Sequence, residues 1–150
     1  MNTTGKFIQV SINGPLFKEV ISLDHASFPR PWIEKNWLSI GDGFHHLMGV
    51  QVKGELAGFS LYHFLPGDAV AHLLKICLRE DVRGSKITRD FWVGQIQYLA
   101  EKGINNIYLE VEASNLRAYG FYKKVGFKEL RKISKYYSDG QDAVVMQLTL

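Results

Sequence analysis

The spacing of hydrophobic and polar residues along the chain predicts a series of short strands. From Lys6 to Ile12 polar and apolar side chains alternate, which is the pattern of a strand with one buried face. Similar or largely apolar runs predict further strands at His46–Val52, Leu56–Phe64, Ala69–Leu78, Ile107–Val111, Phe127–Tyr137 and Ala143–Leu150. The sequence Ser138-Asp139-Gly140-Gln141, between the last two runs, predicts a hairpin turn.

Other segments carry the period of a helix. Pro15 suits the first turn of a helix that continues to Ala26. Helices are also predicted around Trp37 and Leu38, over Lys86–Lys102 and over Leu116–Val125. Glycines stand at the ends of the last two helices, at positions 103 and 126, where a helix C-terminus favours a residue with positive φ.

These elements predict an α/β fold with a mixed sheet. Their order is a strand, two helices, three strands, a helix, a strand, a helix and two strands. The helix between the fourth and fifth strands implies a parallel crossover, since antiparallel neighbours need only a short turn. No linker, repeat or low-complexity segment divides the 150 residues, so we expect a single domain over residues 1–150.

Composition narrows the class of protein. Hydrophobic residues make up 46% of the chain and charged residues 22%, so there is enough apolar material for a core. Cys77 is the only cysteine, which excludes an intramolecular disulfide and a cysteine-rich zinc site. The net charge of +3 is too small to indicate a nucleic-acid partner. Neither a signal-peptide pattern nor an apolar run of ~18 residues occurs, so we expect a cytoplasmic protein with no membrane partner.

Several familiar site types are missing from the sequence. It contains no G-x-S-x-G elbow, no Walker loop and no H-E-x-x-H helix. His45 and His46 are adjacent at the start of a predicted strand, so we expect their side chains to point to opposite faces of the sheet. We therefore expect no metal site.

A polar loop joins the strand that ends at Leu78 to the helix that begins at Lys86. Helix N-termini attract anions because their first N–H groups have no partner within the helix. The cationic and hydroxyl side chains at this helix start are Arg83, Ser85, Lys86, Thr88 and Arg89. Composition alone leaves two interpretations open: a phosphate-binding loop, or an ordinary solvated helix start.

Two side chains are candidates for proton transfer. Glu110 lies between apolar neighbours in the strand Ile107–Val111, and it faces either solvent or a cleft, where it would act as a general base. The sequence alone favours solvent. Tyr122, on the helix Leu116–Val125, is either a core aromatic or a phenol that donates a proton to a leaving thiolate.

Together these segments resemble the GNAT superfamily, and within it the bacterial alanine N-acetyltransferases that modify the N-terminus of a ribosomal protein. The resemblance rests on L-E-V-x-x-S-N at 109–115, on F-Y-x-x-x-G-F at 121–127, and on Tyr136-Tyr137 followed by Asp142-Ala143 and Met146. Phe28-Pro29 with Trp32 is similar to the F-P-W sequence of that family. The resemblance covers most of the chain and implies the GNAT fold, a mostly antiparallel sheet in which one parallel pair of strands splays apart.

By this resemblance the chain is an N-acetyltransferase that takes its acetyl group from acetyl-coenzyme A. This co-substrate would lie between the splayed strands. The residues expected to bind it are Ile76, Cys77, Leu78, Arg83, Gly84, Ser85, Lys86, Ile87, Thr88, Arg89 and Asn115. Backbone groups of the first three would pair with the acetyl-pantetheine arm, and the loop from Gly84 to Arg89 would hold the pyrophosphate.

The resemblance also implies catalytic roles. Glu110 matches the family's general base, which removes a proton from the attacking amine, and Tyr122 matches its general acid, which protonates the departing thiolate. A backbone amide near Leu78 would stabilise the oxyanion. Trp32 and Tyr136-Tyr137 are expected to border the acceptor, a primary amine such as a protein N-terminus.

One loop departs from the family pattern. The family sequence Q/R-x-x-G-x-G/A corresponds here to residues 83–88, where Lys86 and Thr88 replace the two small residues. Glycine lets the backbone approach a phosphate closely, whereas a β-carbon pushes the phosphate outward. Two alternatives therefore stay open: a non-catalytic binding module with the GNAT fold, and an acyltransferase that uses a different acyl donor. The inserted Arg30-Pro31 is a second departure, beside the expected acceptor site.

Overall fold

A computed structural model describes residues 3–150 and consists of one sheet with helices on both faces. The described residues form seven strands: β1 (Lys6–Gln9), β2 (His45–Val52), β3 (Glu55–His63), β4 (Val70–Leu78), β5 (Asn106–Glu112), β6 (Lys128–Ile133) and β7 (Ala143–Thr149). The same residues form four α-helices, α1 (Phe17–Ser27), α2 (Glu34–Leu38), α3 (Lys86–Glu101) and α4 (Leu116–Val125), and one 3-10 turn at Glu80–Val82. The predicted α/β class is confirmed.

The sheet contains one parallel pair of strands. The strand order is β1-β2-β3-β4-β5-β7-β6, and among the described neighbours only β4 and β5 run parallel. Their pairing extends only from Val70 with Asn106 to His72 with Tyr108. Both strands continue beyond these residues without pairing to each other, so an opening forms between them. The predicted parallel crossover through α3 is confirmed.

Each face of the sheet carries its own core. On one face α3 and α4 cover a cluster that includes Phe91, Leu99 and Leu109. On the other face α1 and α2 cover a cluster that includes Trp37 and Phe59. The opening between β4 and β5 therefore connects two chemically separate sides of the molecule.

A β-bulge in β4 changes the direction of one charged side chain. Lys75 pairs with Leu61 and Leu73 pairs with Tyr62, so Leu74 has no partner in β3. The extra residue interrupts the alternation of the strand. As a result, Leu74 and Lys75 both lie on the α1–α2 side of the sheet.

The strand predicted over Phe127–Tyr137 is too long. β6 ends at Ile133 because Lys135 has a φ of 52°, which is incompatible with a strand. Asp142 Oδ1 accepts the N–H of Lys135 at 2.9 Å, so the chain beyond β6 forms a loop. This loop places Tyr136 and Tyr137 outside the sheet.

The N-terminal boundaries are also shifted. The strand predicted to reach Ile12 ends at Gln9, because the Ser11 carbonyl accepts the N–H of Gly14 at 2.9 Å and forms a turn. Pro15 lies in the same turn region and not in the helix, and α1 begins only after it.

Candidate active site

A cleft opens where β4 and β5 stop pairing. Its volume is about 310 Å³, and its walls come from the end of β4, the loop before α3, the first half of α4 and the loop after α1. The predicted site residues that line it are Ile76, Cys77, Leu78, Arg83, Gly84, Thr88, Asn115 and Tyr122. Residues that are far apart in the sequence, and that the resemblance assigns to one ligand, therefore meet in one cavity.

The cleft has features that an acetyl-pantetheine arm and a pyrophosphate require. Beyond His72, no strand of the described residues pairs with the edge of β4 that faces β5, so backbone polar groups along this edge are available to a ligand. Gly84 has a φ of 72°, and a β-carbon at this position would meet no atom within 4 Å, so the loop surface is open. Arg83 adds a cationic side chain, which donates from Nε to the Leu78 carbonyl at 3.1 Å.

The remaining predicted co-substrate residues lie at the start of α3 but do not line the cleft. Ser85 is the N-cap, and its Oγ accepts the N–H of Ile87 at 3.2 Å. The side chain of Ile87 is buried in the core. Lys86 Nζ lies 3.8 Å from Asp90, and Arg89 is exposed. The side chains of Ser85, Lys86 and Ile87 thus contact their own helix or the core. In this arrangement the helix start would reach the co-substrate through its backbone.

The first turn of α3 retains unused backbone donors. The Ser85 carbonyl accepts the N–H of Arg89 at 3.4 Å, but within the described structure the N–H groups of Lys86 and Thr88 have no acceptor. The hydroxyl of Thr88 donates to the Val82 carbonyl at 2.8 Å and is therefore turned toward its own loop. The helix start thus suits an anion bound through backbone N–H groups.

Glu110 does not face bulk solvent, which was the interpretation that the sequence alone favoured. In β5, Leu109 and Val111 pack in the α3–α4 core, so Glu110 lies on the opposite face. Its side chain is 17% exposed, and its Oε2 lies 2.5 Å from Nε2 of His72. The imidazole of His72 in turn stacks on Tyr108 with a centroid distance of 4.2 Å. His72 was not among the predicted site residues, although its polar side chain between Ala71 and Leu73 interrupts an apolar run.

Tyr122 both lines the cleft and packs against the core. Its ring lies 5.5 Å from that of Phe127 and 5.6 Å from that of Phe121. Burial, and to a smaller extent Tyr137, raises the pKa of Tyr122 well above its ordinary value. The phenol therefore stays protonated and is able to act as a proton donor. The two interpretations of this residue are compatible.

Comparison with known proteins agrees with this geometry. The sequence profile of the acetyltransferase (GNAT) family matches residues 16–127. The chain belongs to the GNAT family. It is 30% identical over 132 residues to the ribosomal protein bS18-alanine N-acetyltransferase of Escherichia coli (strain K12), and the match covers 85% of this chain and 87% of that protein.

Solved structures show the same GNAT fold. The ribosomal-protein-S18-alanine N-acetyltransferase from Escherichia coli superimposes with a TM-score of 0.83 at 24% identity, over 97% of this chain and 93% of that one. Arabidopsis thaliana Naa50, in complex with the bisubstrate analogue CoA-Ac-MVNAL, gives a TM-score of 0.80 at 17% identity, over 97% of this chain and 99% of that one. The predictions of a GNAT fold, of an N-acetyltransferase and of acetyl-coenzyme A as co-substrate are confirmed.

In this GNAT enzyme, an arginine bridges the loop after α1 and the loop between β6 and β7. Arg30 Nη2 lies 2.8 Å from the carboxylate of Glu112, and Nη1 forms a second ion pair with the carboxylate of Asp139. Its guanidinium also lies 5.2 Å from the centre of the Tyr137 ring. Burial, helped by the nearby phenol of Tyr136 and by acidic neighbours, raises the pKa of Tyr137 to about 12, although Arg30 opposes the shift. The inserted Arg30 thus joins two loops beside Glu110.

Two further expectations concern metals and membranes. His45 Nδ1 contacts Asp42 at 2.9 Å, whereas His46 Nδ1 lies 2.8 Å from the hydroxyl of Tyr98 on α3, so the two rings do face different sides. Among residues 3–150, no group of three or more potential ligand side chains is placed to hold a metal ion. None of the helices described is both long enough and apolar enough to cross a membrane.

Proposed function

We propose that this enzyme acetylates the N-terminal amine of a protein or peptide. The observation that carries the proposal is the half-buried carboxylate of Glu110, which lies on the sheet face opposite α3 and α4, beside the loop of Tyr136 and Tyr137. A co-substrate in the cleft and an amine on the Glu110 side would then meet at the opening between β4 and β5. The relative from Escherichia coli, named for acetylation of an alanine of a ribosomal protein, supports this class of acceptor.

In this proposal Glu110 is the general base. As the acceptor nitrogen bonds to the acetyl carbon, Glu110 accepts the proton that the nitrogen loses. His72 contacts Oε2 at 2.5 Å, which leaves Oε1 for the acceptor. The aromatic stack of His72 on Tyr108 fixes the imidazole, and through it the carboxylate.

Tyr122 is the general acid in the same proposal. When the tetrahedral intermediate collapses and the carbon–sulfur bond breaks, the phenol gives its proton to the departing sulfur. Its raised pKa keeps that proton in place until the thiolate forms. Solvent then returns a proton to the phenolate.

The acceptor is tested with a pair of matched peptides and mass spectrometry. One peptide has a free N-terminal alanine and no lysine, and its control has a blocked N-terminus and one internal lysine. We expect one acetyl group on the N-terminus of the first peptide and none on the second. Acetylation of the lysine peptide alone would contradict the proposal and indicate a side-chain amine as the acceptor.

The donor is tested by calorimetric titration with acetyl-coenzyme A. We expect saturable binding, because the unused N–H groups at the start of α3 and the open edge of β4 remain available despite Lys86 and Thr88. Binding without turnover of any amine would favour the non-catalytic module. Failure to bind acetyl-coenzyme A, together with binding of a longer acyl donor, would favour the other acyltransferase.

A further inference from the structure

Lys75 and Asp24 form an ion pair that is almost completely removed from solvent. Lys75 Nζ lies 2.5 Å from Asp24 Oδ1, and the two side chains are 8% and 0% exposed. Burial lowers the pKa of Lys75, while the hydrogen bond to Asp24 opposes that shift. The bulge at Leu74 is what turns Lys75 toward Asp24. The mechanism proposed above does not use either group.

Asp24 also holds the chain that follows α1. Its Oδ2 accepts the backbone N–H of Trp32 at 2.9 Å and the indole N–H of Trp37 at 3.1 Å. One carboxylate therefore joins α1, the loop after it, α2 and β4. These donors satisfy a charge that would be costly to bury unpaired.

The ammonium group lies inside an aromatic cage. Lys75 Nζ is 4.6 Å from the ring centre of Phe28, 5.3 Å from Trp32 and 5.8 Å from Trp37, all within the range of cation–π attraction. Phe28 lines the cleft, and so does Ile76, the residue after Lys75. The ion pair therefore lies directly behind one wall of the cleft.

Stability alone is a weak reason for such a pair. Apolar residues of similar volume often replace a buried ion pair with no loss of stability, and the surroundings here are already apolar. Apolar residues would not, however, reproduce the directed hydrogen bonds that place Trp32 and its loop. The pair therefore serves to hold Trp32 and its loop in place.

We propose that Lys75 and Asp24 are positioning residues that hold the Phe28–Trp32 loop as a rigid wall and so set which first side chain of the acceptor fits. This inference rests on the proposed function, since it takes the acceptor to approach from the Glu110 side. It assigns to the pair no contact with the reacting atoms.

The test compares single and double variants on two peptides that differ only in their first residue, alanine or phenylalanine. In Lys75→Met we expect acceptor KM to rise about tenfold and the kcat/KM ratio between the two peptides to move toward one. Lys75→Arg, which keeps the charge, restores part of the loss. Asp42, whose carboxylate lies 2.9 Å from His45 and outside the cleft, supplies the control variant Asp42→Asn, in which neither quantity should change.

The double variant D24L/K75M separates position from stability. Without either charge we expect its unfolding temperature to recover above that of the single variants, while acceptor KM and the peptide ratio stay altered. If the unfolding temperature, acceptor KM and peptide ratio all recover together, the inference is overturned and the pair has a purely structural role.

A second comparison applies if the double variant does not fold. Equal acceptor KM and equal peptide ratio in K75R, K75M and wild type, at a temperature where all three are folded, would also overturn the inference. A wild type that acetylates only a lysine side chain would contradict the proposed function instead, and the same variants would then be compared on that acceptor.

Discussion

The two sides of the cleft differ in the chemical groups that they present to a ligand. On the α3–α4 side the groups that suit the co-substrate are backbone atoms, namely the open edge of β4 and the unused N–H groups of Lys86 and Thr88. On the α1–α2 side distant side chains are joined in pairs: His72 with Glu110, Arg30 with Glu112, and Lys75 with Asp24. The partners in these pairs are 38, 82 and 51 residues apart in the sequence.

This difference explains how one side tolerates an altered motif. A site made of backbone N–H groups keeps its donors when side chains change, provided that the new side chains turn away. Thr88 still lines the cleft, but its hydroxyl bonds to the Val82 carbonyl, and the Lys86 ammonium group lies near Asp90. A site made of side-chain pairs has no such tolerance, because each partner defines the position of the other. We therefore expect substitutions on the α1–α2 side, from which the proposed acceptor approaches, to affect turnover and acceptor KM. Substitutions in the loop before α3 should instead affect coenzyme binding.

The largest expected effect is that of Glu110→Gln. Loss of the general base should lower kcat by ~10²–10⁴ at neutral pH, because the amide cannot take the amine proton. The Kd for acetyl-coenzyme A should stay unchanged, since the carboxylate lies outside the cleft lining. Steady-state kinetics and titration measure the two quantities. Normal turnover on a confirmed acceptor would end the assignment of Glu110 as the base.

The contribution of His72 is expected to depend on Glu110. His72→Leu removes the partner of the carboxylate and should lower kcat in the wild-type background, but it should cause no further loss in the Glu110→Gln background. His63→Leu is the control, because His63 is the register partner of His72 on β3 and its own ring packs on His45 at 4.8 Å. Independent, additive losses would show that His72 acts through packing alone.

Tyr122→Phe is expected to have the next largest effect. The ring keeps its contacts with Phe121 and Phe127, so the unfolding temperature should change little. Loss of the proton donor should lower kcat by ~10². Thermal unfolding and kinetics on one preparation check both statements. A markedly lower unfolding temperature with normal turnover would make Tyr122 a core residue only.

Elements that local sequence determines are predictable, and the pairs between them are not. α4 has its predicted bounds because Asn115 Oδ1 caps Ala118 N–H and Gly126 ends the helix with a φ of 112°. The contact between His72 and Glu110 depends on the register of the only parallel pair in the described sheet, which neither strand specifies by itself. The direction of Lys75 depends on a bulge that leaves no mark in the local sequence.

On the co-substrate side, Arg83→Ala should weaken coenzyme binding more than Lys86→Ala. Arg83 lines the cleft, so loss of a charge-assisted contact to a phosphate would cost ~1.5–3 kcal/mol. Lys86 is 45% exposed and lies 3.8 Å from Asp90, so its removal should cost less than ~1 kcal/mol. Titrations at low and high salt measure both effects, and the salt dependence should be smaller in Arg83→Ala. Tighter binding in Lys86→Gly/Thr88→Gly would show instead that these side chains obstruct the loop.

The smallest expected effect concerns Asp42, which lies on neither side of the cleft. Its substitution tests whether a charge change outside the cleft leaves acceptor KM and coenzyme binding unchanged. Desolvation is the largest single influence on this carboxyl and would raise its pKa, but the N–H of Phe44 and the ring and N–H of His45 together lower the pKa of Asp42 from 3.8 to about 2. A carboxylate whose pKa is depressed in the folded state stabilises that state above pH 3.8, and this contribution is lost as the pH falls toward 2. Because the side chain is 36% exposed, we expect no more than ~1 kcal/mol. The free energies of unfolding of wild type and Asp42→Asn, measured with urea, should therefore differ at pH 6 and converge near pH 2. Acceptor KM and coenzyme Kd should be the same in both proteins. A difference in unfolding free energy that stays constant across this range would assign the effect to hydrogen-bond geometry and not to charge.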